Sequence, residues 1–264
     1  MTAKAGYTKR RFTPGSHLDA TEPEAFTNMQ TPPLETGPMT DEVLRGIFAS
    51  DQDMYPAPLT WERLRSWTTA APDMATCFYL PAAEGDEGRA DRRSLVGAVI
   101  VLPLLARAWR DLLAGHVKET DVDAESMFAC EGVDGDEDDG GPHPEVGLHV
   151  FHVERFDIPA THARVRGFAN LSIRAVGAVA EGKGWKIIGH SALTATPEGR
   201  RCFERMGFEP TGYEELWMTD GRGGVELVAV SADMAREQRT APDAAAVRGH
   251  ARMVARYLPP AHGA

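Results

Sequence analysis

Residues 145 to 158 form an apolar, strand-like run, and a few residues later the chain reads Arg164-Val165-Arg166-Gly167-Phe168-Ala169 at the mouth of a long helical pattern. A strand that delivers into a glycine turn and then a helix constrains the fold strongly. The glycine lets the backbone turn and come close to a ligand, while the first helical N–H groups lack partners and the positive end of the helix dipole favours an anion. The two arginines belong to the same picture, because cations at a helix N-terminus oppose the dipole unless an anion offsets them.

The rest of the chain alternates strand and helix patterns. Thr40 and Thr60 stand as N-caps before helices over Asp41 to Ser50 and Trp61 to Trp67. Ala75 to Pro81 and Ser94 to Leu104 read as a strand pair, the second a nearly continuous apolar run of the kind covered on both faces. Leu105 to Val117 reads as an added helix and Lys118 to Pro144 as a long polar insertion. Glu145 to Ile158 reads as a further strand and residues 164 to 181 as a helix, stopped by Gly182 and Gly184. Trp185 to Leu193 reads as the next strand, and Thr196 caps a helix over Pro197 to Met206 that Gly207 ends. Glu214 to Met218 and Val225 to Val230 read as a closing hairpin. Val247, Ala251, Val254 and Leu258 fall at helical spacing, which predicts an amphipathic helix in the tail, packed on the domain or on a second subunit of a homodimer.

Composition excludes several classes of function. Lys and Arg number 28 against 39 Asp and Glu, a net charge of −11, which disfavours nucleic acid and anionic membranes and favours a cationic or amine partner. Cys77, Cys130 and Cys202 are too few and too scattered for a disulfide framework or a zinc site, which fits a reducing compartment. Met1 to His17 lacks the apolar core of a signal peptide, and Leu95 to Ala106 is too short and broken to span a bilayer, so the expected location is cytosolic or nuclear. Asp134, Asp136, Asp138 and Glu145 match a calcium-loop template, but Asp139 replaces its glycine and Pro142 and Pro144 interrupt it; no metal is expected.

The segment Arg164 to Ala169 resembles the acyl-CoA pyrophosphate loop of the GCN5-related N-acetyltransferase (GNAT) superfamily, Q/R-x-x-G-x-G/A. Thr196 to Phe208 resembles that family's last helix with its "aromatic-E-K-L-G-F" ending, here Phe203-Glu204-Arg205-Met206-Gly207-Phe208. The resemblance implies an α/β (α+β) fold with a mixed, curved central sheet, helices on both faces, and acyl-CoA in the V between the fourth and fifth strands. It divides the chain into an irregular arm over 1–39, which could still add a first strand, a catalytic domain over 40–232 with an insertion at about 105–144, and a tail over 233–264.

The implied activity is direct transfer of acetyl from acetyl-CoA to an amine, on a small molecule, a protein or a peptide, with residues 164 to 169 holding the co-substrate. In many enzymes of this family a carboxylate on the fourth strand takes the amine proton, directly or through water; that strand is here Glu145 to Ile158, and Glu154 is the candidate, with His152 and His149 as alternatives. By strand alternation His152 and Glu154 share one face and His149 the other, unless a bulge intervenes. The family's thiolate-protonating tyrosine is here Phe203, which cannot donate; Tyr213, Ser191, His190 and Cys202 are nearby substitutes. The rival reading is a GNAT-fold protein that binds acyl-CoA without turnover. A dinucleotide-binding enzyme is disfavoured by the lack of repeated β-α-β units.

Overall fold

The computed structural model describes residues 34–54, 59–81, 93–129, 143–156, 165–219, 224–240 and 247–259. Among them eight strands form one sheet in the order β1-β2-β3-β4-β5-β8-β6-β7. Their spans are β1 Glu35–Pro38, β2 Ala75–Leu80, β3 Ser94–Leu105, β4 Glu145–Arg155, β5 Lys186–Thr194, β6 Glu209–Thr219, β7 Val225–Ser231 and β8 Val247–Tyr257. Every neighbouring pair is antiparallel except β4 and β5. The helices are α1 Asp41–Met54, α2 Trp61–Ala70, α3 Ala106–Ala114, the single turn α4 Ala124–Met127, α5 Phe168–Gly182, α6 Pro197–Arg205 and α7 Ala232–Thr240. None is long and apolar enough to cross a membrane.

The expected mixed sheet is present, and so are helices on both of its faces. One apolar cluster joins Leu44 and Ile47 of α1, Leu64 and Trp67 of α2 and Trp109 of α3 to one face of the sheet. The other joins Phe168, Ile173 and Val176 of α5 and Phe203 of α6 to the opposite face. The β4–α5–β5 crossover accounts for the one parallel pair, since parallel strands need a connection long enough to return the chain to its starting end. Gly97 of β3 makes the α5 side possible: a Cβ there would collide with the Glu154 carbonyl and the Phe168 ring.

The caps read from sequence are real. Oγ1 of Thr60 accepts from the Arg63 amide at 3.2 Å and Oγ1 of Thr196 from the Gly199 amide at 3.0 Å. These bonds satisfy N–H groups that a helix start leaves open.

Two expectations are corrected. The tail is no amphipathic helix: α7 covers its first residues, and Val247–Tyr257 is the strand β8, inserted between β5 and β6. Ala251, Met253 and Ala255 enter one core cluster and Val254 the other, which is the period of two of a strand buried on both sides. Gly249 carried the missed signal. It is a poor helix former, and a Cβ there would press to 2.8 Å from the Trp217 ring. The second correction concerns the insertion. Its start is not merely polar: a 3-10 turn Glu119–Asp121 and α4 follow α3, and Val122, Ala124 and Phe128 are buried in the core. The Trp67 indole of α2 donates to the Val122 carbonyl at 2.9 Å, tying this segment to the first core helices. The acidic template positions 134, 136 and 138 lie outside the described residues.

Candidate active site

Strands β4 and β5 pair from Glu145 with Lys186 as far as Val150 with Ala192. Beyond that point both continue without pairing to each other, so their C-terminal ends part. A cleft of about 230 Å³ opens there, walled by Phe151, His152 and Glu154 from β4, Leu193 and Thr194 from β5, the N-cap Thr196 with Gly199 and Phe203 of α6, and Asp51 from α1. A larger cavity of about 630 Å³, beside Arg110, Glu209, Arg256 and Tyr257, lies at the opposite end of these strands. The smaller one has the convergent titratable groups.

The β3–β4 register slips by one residue inside this wall: Ile100 faces His152, whereas Val101 faces Val150, and Phe151 is left over as a bulge. The extra residue resets the alternation. His152 and Glu154 consequently share the α1 side of the sheet with His149, because their β3 partners Ile100 and Ala98, like Leu102 opposite His149, all belong to the cluster on that side.

Sharing a face does not place the three in one cleft. His149 is fully buried; its Nδ1 lies 2.9 Å from Oγ of Ser191, and its Nε2 lies 2.6 Å from Oε1 of Glu119. The Trp109 indole donates to the same Ser191 oxygen at 2.8 Å. Burial lowers the His149 imidazole to about 3 and holds the Glu119 carboxyl well above its ordinary range, an effect that the charge of Asp51 reinforces. Nearby, burial and the charge of Glu119 push Glu215 up to about 7, and Glu215 accepts from the Tyr213 hydroxyl at 2.7 Å. This polar layer sits beneath the cleft, and His149 takes a packing role in it.

His152 and Glu154 do line the cleft. Nδ1 of His152 is 3.3 Å from Oδ1 of Asp51, and its Nε2 is 3.4 Å from Oε2 of Glu154, within reach of charge attraction but off hydrogen-bond geometry. Burial alone would lower this imidazole. The carboxylates of Asp51 and Glu154, one beside each ring nitrogen, together outweigh it and raise the group to about 9. His152 is therefore an imidazolium at neutral pH, and of the two only the partly exposed Glu154 is left to accept a proton.

The glycine loop begins beside this wall. Arg155, the residue after Glu154, donates from Nη1 to the Val165 carbonyl at 2.9 Å and so ties the loop to the end of β4. Gly167 is left-handed at φ 65° and N-caps α5 without a side-chain cap, and the first backbone bond of the helix runs from the Leu171 amide to the Gly167 carbonyl. The amides of Phe168, Ala169 and Asn170 precede that bond and have no partner within the helix. Space beside Gly167 is open, with no atom within 4 Å of where a Cβ would stand. Val165 and Phe168 are buried and Arg166 is exposed, so in this loop the backbone and Arg166 are the groups offered to an anion. Arg164 lies outside the described residues.

Phe203 lines the cleft and stacks edge-on against Phe208 at 4.9 Å. Of its proposed substitutes, Tyr213 and Ser191 are buried in the polar layer on the opposite face. His190 is buried too, lowered to about 4 by burial and the charge of Arg256. Cys202 neighbours Phe203 on α6 and is half-buried. None of the four lines the cleft. Sequence reasoning missed Asp51, because it ended the first helix at Ser50, one residue too soon. Glu119 was hidden in what read as a polar insertion. Among the described residues no cluster could hold a metal ion.

No family model matches the chain, and no curated protein does. Similar solved structures include Arabidopsis thaliana NAA60 in complex with acetyl-CoA, at 12% identity over 86% of this chain and 100% of that one, with a TM-score of 0.46. Chaetomium thermophilum Naa20 in complex with a bisubstrate analogue is 10% identical over 85% of this chain and 86% of its own, with a TM-score of 0.45. Drosophila melanogaster polyamine N-acetyltransferase is 13% identical over 86% and 100%, with a TM-score of 0.43. These likenesses are weak, and the fold is assigned on strand order, the single parallel pair and the glycine-capped α5.

Proposed function

We propose, from the strand order, the single parallel pair and the glycine-capped α5, that this chain has a GCN5-related N-acetyltransferase fold and is an acyl-CoA-dependent N-acyltransferase that passes acetyl from acetyl-CoA directly to an amine. The observation that carries this reading is the position of Glu154, a partly exposed carboxylate on the cleft wall where β4 and β5 part, next to the residue that anchors the glycine loop. The free amides at the start of α5, with Arg166, suit the diphosphate of the co-substrate. A cleft of about 230 Å³ suits a short acyl group and the end of an amine.

In the proposed step the acceptor nitrogen attacks the thioester carbonyl as Glu154 takes its proton; the C–N bond forms, the C–S bond breaks, and the thiolate leaves. Phe203 cannot protonate that thiolate, so water entering the cleft does. The acceptor is an amine-bearing small molecule, protein or peptide, which the acidic net charge of −11 favours over an anionic one.

Phe203 also supports a second reading, acyl-CoA binding without turnover. One assay separates them: release of free thiol from acetyl-CoA, followed against a panel of amines and peptides. Amine-dependent release supports transfer, and tight binding without release supports the alternative.

A further inference from the structure

Asp51 is a carboxylate at 6% exposure on α1, an element outside both sequence motifs, and it points into the same cleft as Glu154. Between the two stands His152, 3.3 Å from Asp51 through Nδ1 and 3.4 Å from Glu154 through Nε2. An unpaired carboxylate this deeply buried is costly, and so is an unpaired imidazolium. Each is tolerated because the other is there.

Resting on the transferase reading above, we propose that Asp51 is a positioning residue of this site: it fixes the ring and the charge of His152, and through His152 it aims Glu154 at the acceptor amine. The geometry divides the work by atom. Asp51 takes up Nδ1, which leaves Nε2 as the edge of the charged ring beside Oε2 of Glu154, 3.4 Å away. Pairing through Oε2 leaves the second carboxylate oxygen of Glu154 to receive the proton. The bulge at Phe151 is the backbone condition, since without it His152 would face α5 and could not meet α1. The charged groups involved are Asp51 from α1 and Glu154 from β4, with Glu119 of the 3-10 turn acting on Asp51's side; the β3 residue opposite His152 is the apolar Ile100.

With Asp51 in place, burial is outweighed and the imidazole stays charged to about 9. Asp51→Asn keeps the shape and an acceptor oxygen but removes the charge, so the imidazole loses one of its two supports and its titration falls by about 1 to 3 pH units.

The test follows the His152 ring by NMR across pH in the full-length protein, wild type and Asp51→Asn, with the pH profile of amine-dependent thiol release beside it. The expected result is a downward shift of the His152 titration in Asp51→Asn, with the alkaline limb of turnover moving by the same amount. Asp51→Glu should restore both in part. In a His152→Gln background Asp51→Asn should cost nothing further, because its effect passes through His152. A loss of stability alone would lower activity at every pH and leave the limb where it was. Coincident His152 titrations in wild type and Asp51→Asn would overturn the proposal, as would full additivity with His152→Gln. If Asp51→Asn does not fold, Asp51→Glu and the His152→Gln pair carry the comparison. A wild type that releases no thiol with any amine would sink the transferase reading, whereas the NMR titration decides the Asp51–His152 link independently.

Discussion

His149 and His152 stand on the same face of β4, although an odd number of positions separates them, because the bulge at Phe151 removes one residue from the alternation. Their chemistry nevertheless differs completely. His149 is enclosed beside Ser191 and Glu119 and stays neutral; His152 lies between two carboxylates and stays charged. Environment, more than residue type, separates a packing histidine from a cleft histidine.

Glu154→Gln keeps the size of the side chain and removes its basic oxygen. Turnover near neutral pH is expected to fall by roughly 100-fold or more, with acetyl-CoA affinity little changed. Steady-state kinetics and calorimetry on the same preparation check both halves. Unchanged turnover would assign deprotonation to bulk water, since His152 is already protonated at that pH.

Gly167→Glu should abolish acetyl-CoA binding. The substitution puts a β-carbon on a left-handed residue and a negative charge where the diphosphate is expected, in space that is open in the free protein. Gly167→Ala separates the causes, keeping the backbone strain without the charge, and should bind more weakly than wild type but measurably. Equal affinity of wild type and Gly167→Glu by calorimetry would place the co-substrate elsewhere.

Transfer should proceed without an acyl-enzyme. Cys77 is buried and burial pushes its thiol up, away from the thiolate form, and Cys202 sits half-buried on α6; Cys130 lies outside the described residues. Mass spectrometry after incubation with acetyl-CoA alone should find no stoichiometric thioester. Protein with all three cysteines replaced by serine should keep most of its activity; an adduct on one cysteine, lost with activity on its replacement, would make the mechanism ping-pong.

Stability should fall on the alkaline side of neutrality, whereas on the acid side buried histidines and buried carboxyls pull in opposite directions. His149 and His190 are lowered to about 3 and about 4 from 6.5, so the unfolded chain binds their protons first and their contribution declines as pH drops below about 6.5. Glu215 is raised from 4.5 to about 7 and Glu119 is raised as well, so below neutrality these carboxyls oppose the histidines, and their contribution declines as pH climbs. His152 works in the same direction higher up: the stability from its raised value is complete below 6.5 and is lost as pH rises through about 9. Urea unfolding from pH 4 to 10 checks the shape. His149→Phe should raise stability on the acid side relative to neutrality, and a profile unchanged by that substitution would remove His149 from the account.

Local chemistry made much of this protein legible in its sequence. Thr60, Thr196, Pro197 and Gly207 mark helix ends through backbone bonds made within a few residues, and the turn at Gly167 follows from its own conformational freedom. The run Ser94 to Leu105 reads as a buried strand because it is apolar at nearly every position. Tertiary structure decided the rest. In Val247–Tyr257 apolar residues at helical spacing coexist with a strand's alternation, and only the gap between β5 and β6, with Trp217 pressed against Gly249, selects the strand. The bulge at Phe151 has no signature in β4 itself, since it is a relation between two strands. Asp51 and Glu119 are distant in sequence from the histidines they meet, and pairing across such distances is fixed by how α1 and the 3-10 turn pack on the sheet. Residue types along the chain define which groups could do chemistry; packing selects which of them meet in a cleft and which are sealed in the core, because burial and partner charge set whether a side chain can still exchange a proton.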